Sequence, residues 1–224
     1  MNLKILNKLE SIIKTSPQAL RDPFKLRQLI QATFNIQVMD VSGTIAELTD
    51  KIDNAVLAKY FGEIWQPRTK KFKYSGLKLV DEINALKPRS VLDLGCGYNE
   101  FKGQIKNLIG IDPYNKNADH QMHILDYKPN KKFDVVIVLG SINFGSTDKI
   151  FSELEHAVSL CENNGTMFFR VNPGLSHEPP ESEWISFYPW DANFIQNCAD
   201  YFGVHILDMR NDSQDRMYFV WRKP

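Results

Sequence analysis

Two carboxylates each close an apolar run. Asp93 sits within Ser90-Val91-Leu92-Asp93-Leu94, Asp112 ends Leu108-Ile109-Gly110-Ile111-Asp112, and the two acids stand 19 residues apart. Gly95 and Gly97 follow the first run. Glycines there let the backbone approach a ligand without a Cβ in the way. An acid about 20 residues on, at the end of a neighbouring strand, can accept hydrogen bonds from ribose hydroxyls. The pattern predicts two adjacent parallel strands that hold a nucleoside. Further along, Ser141 and Asn143 follow a third apolar run, and His177 lies in an aromatic, proline-rich loop. Each is a side chain that orients or deprotonates a nucleophile in other sites. Asp119-His120-x-x-His123 is the one stretch with metal-like composition. Histidines three apart converge only on a helix, and this segment precedes an expected strand, so no metal site is assigned.

The glycine turn narrows the choice of nucleoside. A dinucleotide fingerprint G-x-G-x-x-G needs a glycine at position 100, where this chain has Glu100, a carboxylate that would face a pyrophosphate. A nucleotide-dependent oxidoreductase is therefore the weakest of three readings. The stretch resembles motif I of the class I S-adenosylmethionine-dependent methyltransferases, an acid followed by G-x-G-x-G, through Asp93, Gly95 and Gly97. Asn99 stands where that motif has its third glycine, and Asn is the non-glycine residue that best tolerates a left-handed conformation. Gly-Cys-Gly-Tyr-Asn and Ile-Asp-Pro-Tyr-Asn are also loosely similar to small methyltransferase-like proteins of tailed bacteriophages.

The resemblance implies S-adenosylmethionine as cofactor and a role for each matching residue. Asp93, Gly95, Gly97 and Asn99 form the turn, Asp112 takes the ribose, and Pro113 and Tyr114 flank the adenine. Asp126 meets the adenine amino group, and Leu139 ends the strand beside the transferred methyl. Ser141 or Asn143 would orient the acceptor, with His177 as general base in an acceptor loop carrying Trp184, Phe187, Tyr188 and Trp190. The Asn/Asp-Pro-Pro-aromatic motif of DNA amino methyltransferases is absent and no cysteine follows the 133–139 run, which disfavours a DNA base as acceptor. The acceptor itself is not specified. A structural or adaptor protein that keeps the fold without turnover is the alternative reading.

These residues need a scaffold, and the patterning from Gly76 onward predicts a doubly wound α/β domain. A helix stopped by Pro88 precedes strand one, and strand two covers 108–112. Strand three is expected at 121–125, strand four at 133–139 and strand five at 166–171. Helices are expected at 148–161, closed by the Glu162-Asn163-Asn164-Gly165 turn, and at 191–201. The chain ends in an antiparallel hairpin, 204–209 with 217–221, so the expectation is a Rossmann-like, mostly parallel seven-stranded sheet. Only 14 residues separate Asp112 from Asp126, as they do Gly97 from Ile111, so the first crossovers must be short or without a helix. Ahead of this domain, residues 1–66 read as a helical extension, with helices over 2–14, from Ser16-Pro17 through Phe34 with Asp22-Pro23 as a capping start inside the segment, and over 44–61. That extension suits packing and contact with a protein partner. A basic, aromatic linker, 67–75, joins the two.

Composition supplies the exclusions. The 224 residues carry 27 Lys plus Arg and 27 Asp plus Glu, so no net charge favours nucleic acid or an anionic membrane. Three widely spaced cysteines, Cys96, Cys161 and Cys198, suit a reducing compartment. No stretch reaches the length of a membrane span and no secretory signal opens the chain, so the expected location is the cytoplasm, a host's cytoplasm or a virion for a viral protein.

Overall fold

Four apolar runs become the parallel strands of one sheet. In the computed structural model, which describes residues 1–65, 79–176, 180, 182–212 and 215–224, these are β1 (Val91–Leu94), β2 (Leu108–Ile111), β3 (Phe133–Leu139) and β4 (Cys161–Val171). The hairpin strands β5 (His205–Asn211) and β6 (Met217–Arg222) complete the order β2-β1-β3-β4-β6-β5, with β6 antiparallel to both neighbours. Strands buried on both faces read as continuous apolar runs, and all four residues of β1 are buried. One face of the sheet packs Leu92, Val136, Phe169, Phe219 and Trp221 under α5 (Thr147–Leu160) and α6 (Ala192–Phe202). The other packs Val91, Ile137, Phe168 and Val220 under α4 (Leu79–Ala85). Ser146 and Asp191 cap the starts of α5 and α6 by accepting amide hydrogens of the first turn.

Two sequence expectations change here. The strand expected at 121–125 does not form, so the sheet has six strands among the described residues. Its place beside β2 is already taken: the Asp119 carboxylate accepts the Gly110 amide at 2.8 Å, and the Asp119 and His120 amides both donate to the Gly110 carbonyl. What remains of a third strand is one bridge between Ile111 and His120, followed by a 3-10 turn at Ile124–Asp126. The turn expected at 162–165 is instead a bulged start of β4. The register jumps from Phe133 opposite Cys161 to Val135 opposite Thr166, and Gly165 lies so close to Cys161 that a Cβ would meet its Sγ at 2.5 Å. The crossover between β1 and β2 contains no helix. A chain of turns buries Phe101 and Ile105 against the α4 face in its place.

The chain divides into two compact units, Met1–Trp65 with Ser176–Ser186, and Gln66–Leu175 with Phe187–Pro224. The first is built on α1 (Leu3–Thr15), α2 (Pro23–Phe34) and α3 (Ile45–Lys59). Asp22 caps α2 ahead of Pro23, and Thr44 with Glu47 forms a reciprocal capping box on α3. Part of the loop expected to carry acceptor residues belongs to this helical unit. The Asn2 side-chain amide donates to Asp53 Oδ1 and to the Trp184 carbonyl, and the Trp184 ring packs edge-on against Phe34 at 4.8 Å. The basic stretch expected as a linker, 67–75, lies outside the described residues.

Asp119 substitutes for a strand partner at the β2 edge and is ion-paired with Lys102 at 2.7 Å. Burial acts to raise its pKa, but the Gly110 amide and Lys102 outweigh burial and hold it below the usual carboxylate value. The stability it contributes is present above the unfolded-state pKa and is lost as pH falls through the folded one. Asp119→Ala is expected to cost about 1–3 kcal/mol in urea unfolding at pH 7, the range for an unmade buried hydrogen bond. That difference should shrink below pH 4.

Candidate active site

At the carboxyl end of β1 the chain must turn sharply between two neighbours. The amides of Gly95 and Cys96 both donate to the Ile111 carbonyl, at 2.8 and 2.9 Å, which ties the turn to the end of β2. Gly95, Gly97 and Asn99 all adopt positive φ, at 80°, 53° and 56°. Asn99 thus holds the left-handed backbone that the missing third glycine would have supplied. Its side chain serves the scaffold: Nδ2 donates to the Asn117 carbonyl at 2.9 Å, and Oδ1 is buried without a partner over Gly110, where a Cβ would come within 2.6 Å of it. Gly95 is required for space as well as conformation. A Cβ there would lie 2.1 Å from the Ser141 Cβ.

Asp112 is the centre of the arrangement. Its Oδ2 accepts the Gly97 amide at 3.0 Å, and its Oδ1 accepts the amides of Tyr114 and Asn115 at 2.8 and 2.9 Å. One carboxylate therefore joins the glycine turn to the turn after β2. Burial raises its pKa, opposed by the three amides and by His123. Asp93, one strand over and 3% exposed, is pushed up to about 8 by burial and then by the charge of Asp112. Asp93 is thus a proton carrier near neutrality, while the three amides and His123 favour the charged form of Asp112 against its burial. The Cys96 thiol is raised by burial and by Asp93, Asp112 and Asp119, which makes it a poor nucleophile.

The third strand end brings the remaining polar groups close. Ser141 Oγ donates to the Leu94 carbonyl, directly before Gly95. Asn143, almost fully buried, accepts the Asn172 amide on Oδ1 at 2.9 Å and donates from Nδ2 to the Gly140 carbonyl, locking the loop after β3 to the loop after β4. Leu139 ends β3 half-buried. Pro113 and Tyr114 are half-buried beside Asp112, whereas Asp126 ends the short 3-10 turn with an exposed side chain. The aromatic loop is divided in its roles. Trp190 is core, its indole N–H donating to the Ile142 carbonyl at 3.1 Å, and Phe187 pairs with Phe144 at 5.2 Å. His177 lies outside the described residues. Among the described residues no group of three or more His, Cys, Asp and Glu is arranged to hold a metal, and Asp119 is committed to Lys102 and Gly110. A cavity of about 670 Å³ lined by Lys128, Lys131, Lys132 and His156 opens at the amino end of β3, the opposite end of the sheet from these groups. The site is placed at the carboxyl ends because that is where the turn, the acids and the strand-end side chains converge.

Two positioning roles are not expected from sequence, where Asp119 is weighed only as a metal ligand. Asn172 links Asn143 to the following turn, and Asp119 closes the β2 edge. Asn172-Pro173-Gly174 carries the signature of an Asx turn, so the first was readable in principle.

No family model and no curated protein matches the sequence. Solved structures do match. The 1,6-didemethyltoxoflavin-N1-methyltransferase of Burkholderia thailandensis, bound to 1,6-didemethyltoxoflavin and S-adenosylhomocysteine, is 14% identical, with 84% of this chain and 94% of that chain covered and a TM-score of 0.59. The fold is that of the S-adenosylmethionine-dependent methyltransferases. The magnesium protoporphyrin IX methyltransferase of Synechocystis PCC 6803 with bound S-adenosylmethionine is also 14% identical, covering 77% of this chain and 97% of its own at a TM-score of 0.57. An O-methyltransferase family protein of Burkholderia thailandensis, 11% identical, covers 98% of this chain and 71% of its own at 0.53. Against the seven strands expected of this methyltransferase fold, the chain lacks the strand that Asp119 and His120 displace.

The raised pKa of Asp93 sets a pH dependence. Its folded form binds a proton that the unfolded form releases near its ordinary value of 3.8, so Asp93 costs stability progressively as pH rises from about 4 to about 8. Asp93→Asn is expected to gain stability relative to the parent over that window, by at most about 1.4 kcal/mol per pH unit. Urea unfolding of both proteins at pH 5 and pH 8 measures the difference.

Proposed function

We propose that this protein binds S-adenosylmethionine at the glycine turn and transfers its methyl group to an acceptor positioned over the ends of β3 and β4. The observation that carries the proposal is the Asp112 carboxylate. A carboxylate offers about four acceptor sites, and amides fill three of them, which leaves one on Oδ2 beside Gly97. That vacancy at the end of β2, next to a turn held in positive φ, suits one ribose hydroxyl. The cofactor supplies an electrophilic methyl on a sulfonium; the chain's own residues bind and orient. Asp93, a neutral acid near pH 7, is placed to ionise when a cation binds nearby. Pro113 and Tyr114 flank the adenine, and Asp126, exposed, is assigned to its amino group.

For the acceptor, Ser141 is the orienting group at the turn, its hydroxyl fixed by the Leu94 carbonyl with lone pairs left to accept a hydrogen bond from the acceptor. Asn143 acts by holding the two strand-end loops, and Leu139 shapes the wall. His177 is proposed as general base. Exposed Leu20, Met39 and Ile45 on the helical unit, about a groove of roughly 400 Å³, support a protein partner there. No helix among the described residues is long and apolar enough to cross a membrane. The adaptor reading gains no support from the comparisons.

Calorimetric titration with S-adenosylmethionine and S-adenosylhomocysteine tests the proposal, with a reduced dinucleotide as control. Micromolar binding of the first two is expected, weakened at least tenfold in Asp112→Ala, the loss of one charge-assisted bond. A thermal melt of Asp112→Ala separates this from the stability it loses with the three amide bonds. No binding of either ligand by the parent protein would refute the proposal.

A further inference from the structure

Among the described residues, one cation at the carboxyl end of the sheet, Arg216, is in no ion pair with a carboxylate. Arg216 immediately precedes β6, whose first residue, Met217, pairs with Val171 at the end of β4. Its half-buried guanidinium donates from Nη1 to Asn172 Oδ1 at 3.1 Å. That oxygen also accepts the amides of Gly174 at 3.0 Å and Leu175 at 2.7 Å. Three donors crowd an oxygen with two lone pairs, and the bond from Arg216 is the longest. The neighbouring acid is engaged elsewhere: Asp212 Oδ2 pairs with Arg170 Nε at 2.6 Å, and Asp212 Oδ1 accepts the backbone amide of Arg216. Asp215 is exposed. Burial and the charge of Arg170 press on the Arg216 cation more than Asp212 and Asp215 relieve it. An arginine so placed presents a planar fork of donors suited to two-point binding of an oxyanion.

The place of Arg216 in the sheet makes this more than a surface charge. Arg216 bonds Asn172, the Asn172 amide bonds Asn143, and Asn143 bonds Gly140, next to Ser141, whose hydroxyl meets the Leu94 carbonyl before the glycine turn. A continuous hydrogen-bonded rim therefore runs from the turn to Arg216. We propose that Arg216 is the specificity-determining residue of the acceptor site and binds the carboxylate or phosphate of an anionic small-molecule acceptor. This rests on the methyltransferase reading for the word acceptor, but the anion site stands on its own geometry. β6 lies two strands from β3, about 10 Å, so the acceptor carries its oxyanion about that far from the atom that receives the methyl group.

The test is ¹⁵N NMR of the full chain, titrated separately with benzoate and phenyl phosphate, reading the Arg216 Nε–H and the Gly174 amide. The Gly97 amide in the same spectra, with S-adenosylhomocysteine added, reads the cofactor site. Saturable shifts in the millimolar range at Arg216 and Gly174 are expected. Affinity read at Gly174 should fall at least tenfold in Arg216→Gln and be partly kept in Arg216→Lys, which retains the charge should the first variant fold poorly. A response to benzoate alone names a carboxylate, and one to phenyl phosphate alone a phosphate. No shift with either anion, or undiminished affinity in Arg216→Gln, overturns the proposal. Anion shifts at Gly174 with a silent Gly97 would contradict the methyltransferase reading and leave the oxyanion site standing.

Discussion

The Asp112 carboxylate is the joint on which the carboxyl end of the sheet depends. Three backbone amides from two separate turns need an acceptor where no strand or helix supplies one, and a single side chain meets all three. Buried amides left unpaired are costly, so the shapes of the glycine turn and of the turn after β2 are coupled through this residue. Its charge adds to the burial that raises the Asp93 carboxyl, and it has one acceptor site to spare. Under the proposed cofactor reading, structure and ligand recognition compete for one carboxylate. A ribose held by both of its hydroxyls would have to displace an amide, whereas one hydroxyl fits the remaining site.

A second constraint follows from economy of chain. Residues 95–107 between β1 and β2 are barely the dozen or so that a parallel crossover takes, and there and in the 112–132 segment after β2 side chains take over what a helix and a strand would have done. Phe101 and Ile105 fill the core from turns, Asn99 latches the glycine turn to the segment after β2, and Asp119 satisfies the free edge of β2. At the other side of the site the economy runs through Asn143 and Asn172, whose amides tie successive strand ends together and carry the rim out to Arg216. Small changes in these polar side chains should move the backbone of the site more than changes in the aromatic core beneath it.

Most of the frame was legible from sequence because it rests on local signals. Apolar runs marked β1, β2, β3 and the hairpin, Asp22-Pro23 marked the start of α2, and the Gly95 and Gly97 spacing located the turn. Asn99 was readable as a glycine surrogate because left-handed tolerance is a property of the residue itself. The strand expected at 121–125 was not legible as absent. It was displaced by a hydrogen bond from Gly110 to Asp119, and a side chain acting as a strand edge leaves no periodic signature. Trp184 and Trp190 looked alike in sequence, yet one packs with the helices against Phe34 and the other sits in the core of the sheet. Asn143 carried an expected acceptor role, but both ends of its amide are spent on backbone, a fact that depends on residues 29 positions away.

The most direct test of this account is amide hydrogen exchange at Gly97, Tyr114 and Asn115, measured with and without S-adenosylhomocysteine. If Asp112 is the joint, all three amides are protected in the free protein, lose protection together in Asp112→Ala, and gain further protection with the ligand. Exchange of Gly97 at the rate of an unstructured peptide, unchanged by the ligand, would contradict it.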